Sequence, residues 1–440
     1  MTGVRFLSAR VGRLTLGAAI CIAAILAQSP AAGASAGRWD GFGDHGTGRA
    51  LYVSPSAGAR AADRSCRTAA YSTIQSAVDA ARPGATVTVC PGTYTEDVIV
   101  STPLTLRGAD ATIRGTSSAN GNCDQLGASG PGSAPCLAGV TIKSSWVQIS
   151  GFTVTGAIGE GILATGSLAG GSISHVTIRD NRVVGNDTGG IPPATGGGYP
   201  QCESVGGVPG DCGEGIHLMG VADSSISNNY DSGNTGGILI TDEFGPTHNN
   251  LVADNVVTGN QYDCGITVPG HNPFAVDSQG NPQPQVAGVF DNVIRGNVVT
   301  NNGLKGEGAG VLFANATAGT GSYDNLAEDN YIAGNDLSGV TMHAHTVAPG
   351  GVEDLNGNKI IDNVIGQNNL GGDGLDGSQK DSSTTGILVF SGSVPVKVTI
   401  ARNVVFDNTY GIWEGVGGNV SATVAGNRFL GVGTPVFTQQ

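Results

Sequence analysis

Charge is scarce in this 440-residue chain: 13% of residues are charged, 5% are aromatic, and there are only three Met, three Trp and seven His. Acids outnumber bases 35 to 21, a net charge of −14, which excludes nucleic acid and anionic membrane as the main partner. No apolar run is long enough to span a bilayer comfortably; the longest, "LTLGAAICIAAILA" at 14–27, has 14 residues. No cysteine pair has CxxC spacing, which weighs against zinc-ribbon or dithiol chemistry.

That short run reads instead as an export signal. Arg5, Arg10 and Arg13 precede it, and "QSPAAGASA" follows, with small residues at Ala34 and Ala36. Ile20 before Cys21 does not suit lipid attachment. Cleavage is expected near Ala36, so that 1–36 is a signal peptide, 37–50 a flexible leader and 51–440 one secreted, extracellular domain. Loss of the three Arg takes the net charge to −17. Seven cysteines then remain, and outside the cytosol they read as disulfides. Proximity suggests Cys66–Cys90, Cys123–Cys136 and Cys202–Cys212, with Cys264 alone.

Glycine is what the chain has in excess, at 73 residues. Eight of them open a recurring Gly-aliphatic start: "GILA" at Gly161, "GIHL" at Gly215, "GILI" at Gly237, "GITV" at Gly265, "GVLF" at Gly310, "GVTM" at Gly339, "GILV" at Gly386 and "GIWE" at Gly411. Asparagines five apart recur in step: Asn181/Asn186, Asn229/Asn234, Asn255/Asn260, Asn297/Asn302, Asn330/Asn335, Asn363/Asn368 and Asn403/Asn408. Short β-rich strands separated by Gly and Asn turns, repeating in the low twenties, are the mark of a solenoid. The residue after each Gly must face inward, because strand side chains alternate and this column is all Ile or Val. The Asn columns read as turn ladders.

These repeats, with "YSTIQSAVDAARPGATVTVCPGTYTEDVIV" at 71–100 and "PLTLRGADATIRG" at 103–115, resemble right-handed parallel β-helix repeat proteins of the pectin-lyase-like superfamily, nearest to those with NosD-like repeats. The resemblance implies an all-β, single-stranded right-handed parallel β-helix. Anchor counting gives roughly ten to thirteen coils. Ser72 and Gln75 stand in capping-box spacing ahead of Ile74, Ala77, Val78 and Ala81, and Pro83 and Gly84 stop the run. A short N-terminal helix is therefore expected to cap the open end of the solenoid, pinned by Cys66–Cys90.

Long insertions flank the Gly-led strands, so their outward column is expected to form a groove floor: His217, Leu239, Thr267, Leu312, Thr341, Leu388 and Trp413. An extracellular polysaccharide, bound or cleaved there, is the leading functional expectation. Asp242, Glu243 and His217 are the candidate catalytic groups, suited to general acid/base work. Thr267, His271, Thr341, His343 and Trp413 are the candidate substrate contacts. "GGDGLDG" at 371–377 carries one calcium nonapeptide pattern in Gly371, Gly372, Gly374 and Asp376, with Asp373 near, and "MHAH" brings His343 and His345 to one side of a strand. These make His345, Asp373 and Asp376 candidate metal ligands, with calcium the cation considered. Lys305 beside Glu307 is the one nearby candidate for a lyase base. The "RIK" set of polygalacturonases, the "WIDH" of pectate lyases and the "DFIFG" of pectinesterases are missing, so no catalytic residue follows from the resemblance. The alternatives are a non-catalytic surface or adhesion module, and NosD-like metal handling through His343, His345, His217 and His271. A monomer is expected.

Overall fold

The computed structural model describes residues 50–438 apart from 58–64, 117–119, 123–125, 128–129, 132–134, 137, 168–170, 188–213, 271, 273, 282, 284, 307, 316–318, 345–353, 371–383, 392–394 and 417–418. The signal segment, nearly all of the leader, His271, His345, Asp373, Asp376, Glu307 and the proposed bridges of Cys123 and Cys202 lie outside these residues.

The chain winds as a right-handed parallel β-helix. Its Gly-led strands, with Val98–Val100 before them, form one eleven-stranded parallel sheet, one strand per coil. We number the coils by these strands: Val98–Val100, Val140–Ile142, Ile162–Thr165, Ile216–Met219, Ile238–Thr241, Ile266–Gly270, Val311–Asn315, Val340–Ala344, Thr385–Ser391, Tyr410–Val416 and Thr434–Thr438 are coils 1 to 11. The Asn-flanked strands build a second sheet of 21 strands, and a five-stranded sheet closes the middle coils.

The core is a set of stacked columns. Ile162, Ile216, Ile238, Ile266, Val311, Val340 and Ile387 are in register and at most 1% exposed. Each coil thus adds an apolar layer whose removal from water holds the solenoid together. The glycine column has a steric cause. A Cβ at Gly161, Gly237, Gly265 or Gly310 would lie 2.2–2.3 Å from a methyl of Val183, Val257, Val299 or Ile332. Real carbon contacts do not occur at that range, so the turn closes onto the core only where no side chain intervenes.

The asparagines are the second framework. Asn229, Asn255, Asn297, Asn330, Asn363 and Asn403 each donate Nδ2–H to the Oδ1 of the next Asn, as far as Asn427, at 2.9–3.0 Å. A parallel ladder runs through Asn260, Asn302, Asn335 and Asn368. A third, beyond the pairs noted above, joins Asn250, Asn292, Asn325 and Asn358. Most of these amides also cap a backbone carbonyl, as Asn330 does at Ile294, so buried turns keep their polar groups satisfied.

The N-terminal helix spans Ile74–Ala80 and buries Ile74, Ala77 and Val78. Its N-cap is Thr73 rather than Ser72: Thr73 Oγ1 accepts from Ser76 N at 3.3 Å. The reason lies in the next turn of chain, where the Glu96 carboxylate accepts from the first free amides, Ile74 N and Gln75 N, at 2.8 and 2.9 Å. Gln75, freed from capping, instead pairs with both backbone groups of Ile99 in coil 1. Cys66 and Cys90 form the expected disulfide, and Cys264 is a buried thiol whose sulfur accepts from Ala309 N.

Candidate functional site

The outward column of the Gly-led sheet is in register as expected, His217 beside Leu239, then Thr267, Leu312, Thr341, Leu388 and Trp413. It is not an open floor. Apart from half-buried Leu388, these side chains are at most 8% exposed. Outward strand residues and turn residues pack among themselves along this face: Ala138, Leu163, Met219 and Phe244 form one buried cluster in coils 2 to 5, and Cys264, Ala309, Leu312, Ala314 and Leu337 another in coils 6 to 8. Strand alternation alone implied a solvent-facing floor; among the described residues this column is instead mostly buried, as mutual packing of its apolar members favours.

The expected site residues have varied surroundings. Asp242 is fully buried, and its carboxylate accepts from Gly288 N at 2.5 Å and from the Thr320 hydroxyl, tying the end of strand 238–241 to later turns. Glu243 is buried as well. Thr341 exchanges a hydrogen bond with Ser338 at 2.5 Å. His343 is buried, and desolvation pushes its pKa from 6.5 down to about 4, so it is neutral at neutral pH. Trp413 packs edge-on against Phe437 and tilted against Tyr410, at centroid distances of 5.4 and 5.0 Å, a seat under the last coil. Lys305 bonds the Gln261 amide at the surface.

His217 has a partner that the sequence reading missed. Its Nδ1 lies 3.5 Å from Glu160 Oε1, and its Nε2 lies 2.8 Å from Thr241 Oγ1. Glu214 completes the group: one ligand atom each from Glu160, Glu214 and His217 lies within 4.8 Å of the others. All three residues are at most 3% exposed. Glu160 and Glu214 stand directly before the Gly column in coils 3 and 4, where Gly161 N donates to Glu214 O at 2.9 Å. The signal was present: "GEGI" occurs at 159–162 and again at 213–216.

A second feature lies on the Asn-flanked sheet. The residue after each first-ladder Asn points outward, giving the register column Arg182, Tyr230, Val256, Val298, Tyr331, Val364 and Val404. Val298, Tyr331 and Val364 are 37–42% exposed, and the Arg182 guanidinium sits 4.4 Å above the Tyr230 ring. Beside the column runs a ladder of left-handed turn residues, Asp180, Asn228, Asp254, Asp329 and Asp362, with φ of 54–57°. Asp and Asn tolerate this conformation. At the coil 3 end, Asp110, Phe152, Asp180, Arg182, Tyr230 and Asp254 line an open groove of about 510 Å³.

Residues 204–370 match the family described as periplasmic copper-binding protein (NosD). No curated protein matches the chain. Among solved structures, an alginate lyase from Paenibacillus sp. is 13% identical, covering 89% of this chain and 98% of its own, with a TM-score of 0.46. The A-module of mannuronan C-5 epimerase AlgE4 from Azotobacter vinelandii is 16% identical over 82% and 92%, with a TM-score of 0.47. PfbA, a surface adhesin of Streptococcus pneumoniae, is 14% identical over 82% and 86%, with a TM-score of 0.47. Identity this low says nothing about activity.

Proposed function

Taking the chain as a right-handed parallel β-helix with NosD-like repeats, we propose that it is an exported protein that binds an extended, neutral polysaccharide along the Tyr230–Tyr331 column. The observation that carries this reading is the in-register row of Tyr and Val side chains on a parallel sheet, spaced one coil apart at about 4.8 Å, in which Val298, Tyr331 and Val364 are exposed and Tyr230 and Val256 half-buried. An extended sugar chain repeats at a similar spacing, so successive residues meet successive rungs of the column, with Tyr at two of them three coils apart. Tyr rings suit the apolar faces of pyranoses, while the neighbouring Asp carboxylates accept from their hydroxyls. The same carboxylates, on a chain of net charge −14, repel a polyanionic glycan. The buried Gly-led face favours this second sheet over the first as the contact surface. Export rests on the N-terminal signal reading and agrees with the Cys66–Cys90 disulfide. Among the described residues no helix is long and apolar enough to cross a membrane.

Affinity electrophoresis against neutral and acidic polysaccharides tests the reading. At least one neutral glycan is expected to retard the protein, and replacing Tyr230 and Tyr331 together by Ala to weaken retardation at least about 10-fold. Retardation only by acidic glycans, or an unaffected double variant, would count against it.

A further inference from the structure

We propose that Glu160, Glu214 and His217 bind a divalent metal cation that accepts mixed oxygen and imidazole ligands, zinc or manganese, between coils 3 and 4. The inference stands apart from the polysaccharide reading. It begins with a choice the fold did not require. The slot before the Gly column holds Ala138 in coil 2, then Glu160 and Glu214, then Gly236, Cys264, Ala309 and Ser338. Small or neutral residues fill it everywhere in that run except coils 3 and 4, where two acids stand in adjacent coils.

The geometry fits an ion. The ligand atoms of all three residues lie within 4.8 Å of one another, and His217 Nδ1 is 3.5 Å from Glu160 Oε1. Two ligands in a tetrahedral shell with metal bonds of about 2.1 Å are separated by about 3.4 Å, so this edge already has the required length. Glu160, Glu214 and His217 are 3%, 3% and 0% exposed.

The imidazole is also held for the task. His217 Nε2 and Thr241 Oγ1 are 2.8 Å apart, so a proton on Nε2 donated to the hydroxyl leaves the Nδ1 lone pair aimed at the carboxylates. That is the orienting contact metal-bound histidines characteristically have. Gly236 keeps the next coil clear, since a Cβ there would lie 3.3 Å from Glu214 Oε1. The donor set of two oxygens and one imidazole nitrogen contains neither thiolate nor thioether, which disfavours copper(I). It offers fewer oxygens than calcium takes, and it suits zinc or manganese.

The test uses the exported chain stripped with chelator and titrated calorimetrically with zinc chloride and with manganese chloride. One equivalent of at least one metal is expected to bind the folded wild type. Glu214→Gln and Glu160→Gln, which keep side-chain shape, are expected to weaken binding at least about 100-fold, and Thr241→Val about 10-fold with unchanged stoichiometry. Circular dichroism verifies that each variant is folded; should the Gln variants unfold, Thr241→Val, remote from direct ligation, carries the test. Cobalt(II) gives a second readout, its visible absorption bands appearing with wild type and not with Glu214→Gln. Absence of saturable binding by both metals, or unchanged affinity in the folded variants, would overturn the proposal, as would saturation by copper(I) alone.

Discussion

Coils 3 to 5 and coils 6 to 8 share one backbone and differ in what they place on it. In the first region the slot before the Gly column holds Glu160, Glu214 and Gly236, the outward column holds His217, and the inward column holds Asp231 between Val183 and Val257. In the second, the same slots hold Cys264, Ala309 and Ser338, Leu312 and Thr341, and Val299, Ile332 and Ile365. The strand register is continuous through both, so the acids are tolerated by the coil and not demanded by it. Asp231 shows the local consequence. Asn234 donates its Nδ2 to Asp231 Oδ1 at 3.0 Å, whereas its equivalents Asn260, Asn302 and Asn335 donate to the next rung of the ladder. A repeating frame thus lets single exceptional residues carry chemistry, at a local expense in packing.

Breaking the shared frame is expected to have the largest effect. Asn330→Ala removes the acceptor for Asn297 N and Nδ2 and the donor to Ile294 O and Asn363 Oδ1. With several buried groups left unmatched, the loss should be about 4 kcal/mol in a denaturant titration. Gly310→Ala should lose about 3 kcal/mol, because its Cβ would meet Ile332 Cγ2 at 2.3 Å and Gly339 O at 2.5 Å.

Two buried titrating groups sharpen the comparison, with opposite signs. Asp231 is wholly buried, and desolvation raises its pKa well above 3.8. Its protonated form is the one the core accommodates, so its contribution is greatest below the unfolded pKa and is lost as pH rises through the raised folded value. Asp231→Val, matching Val183 and Val257, should therefore stabilise the protein at neutral pH by about 2 kcal/mol and make little difference near pH 4. For His343 the folded pKa is depressed to about 4 from 6.5. Stability should fall as pH drops between those values, by about 3 kcal/mol at full protonation, and His343→Leu should flatten that slope in pH-dependent melts.

The smallest expected change in stability is at the surface. Tyr331→Ala should alter the melting free energy by no more than about 0.5 kcal/mol while weakening glycan retention.

The frame was legible in the sequence because it repeats: the Gly starts, their inward aliphatics and two Asn ladders each recur with the coil. The third ladder, Asn250 to Asn358, escaped because the pairs five residues apart drew attention to its neighbours. Burial of the outward column could not be read, since it depends on where turn residues such as Phe244 fold back. Glu160 and His217 are separated in sequence by 57 residues, and only coil stacking makes them neighbours. Tyr230 and Tyr331 were findable, each being the residue after a ladder Asn, but their exposure required knowing which way that strand faces.

The most direct test of the central reading is affinity electrophoresis of the wild type, Tyr331→Ala and Glu214→Gln side by side in neutral polysaccharide. The account predicts retardation of the wild type and Glu214→Gln, with Tyr331→Ala running measurably freer. Equal mobility of all three with and without glycan, or loss of retardation in Glu214→Gln with Tyr331→Ala unchanged, would contradict it.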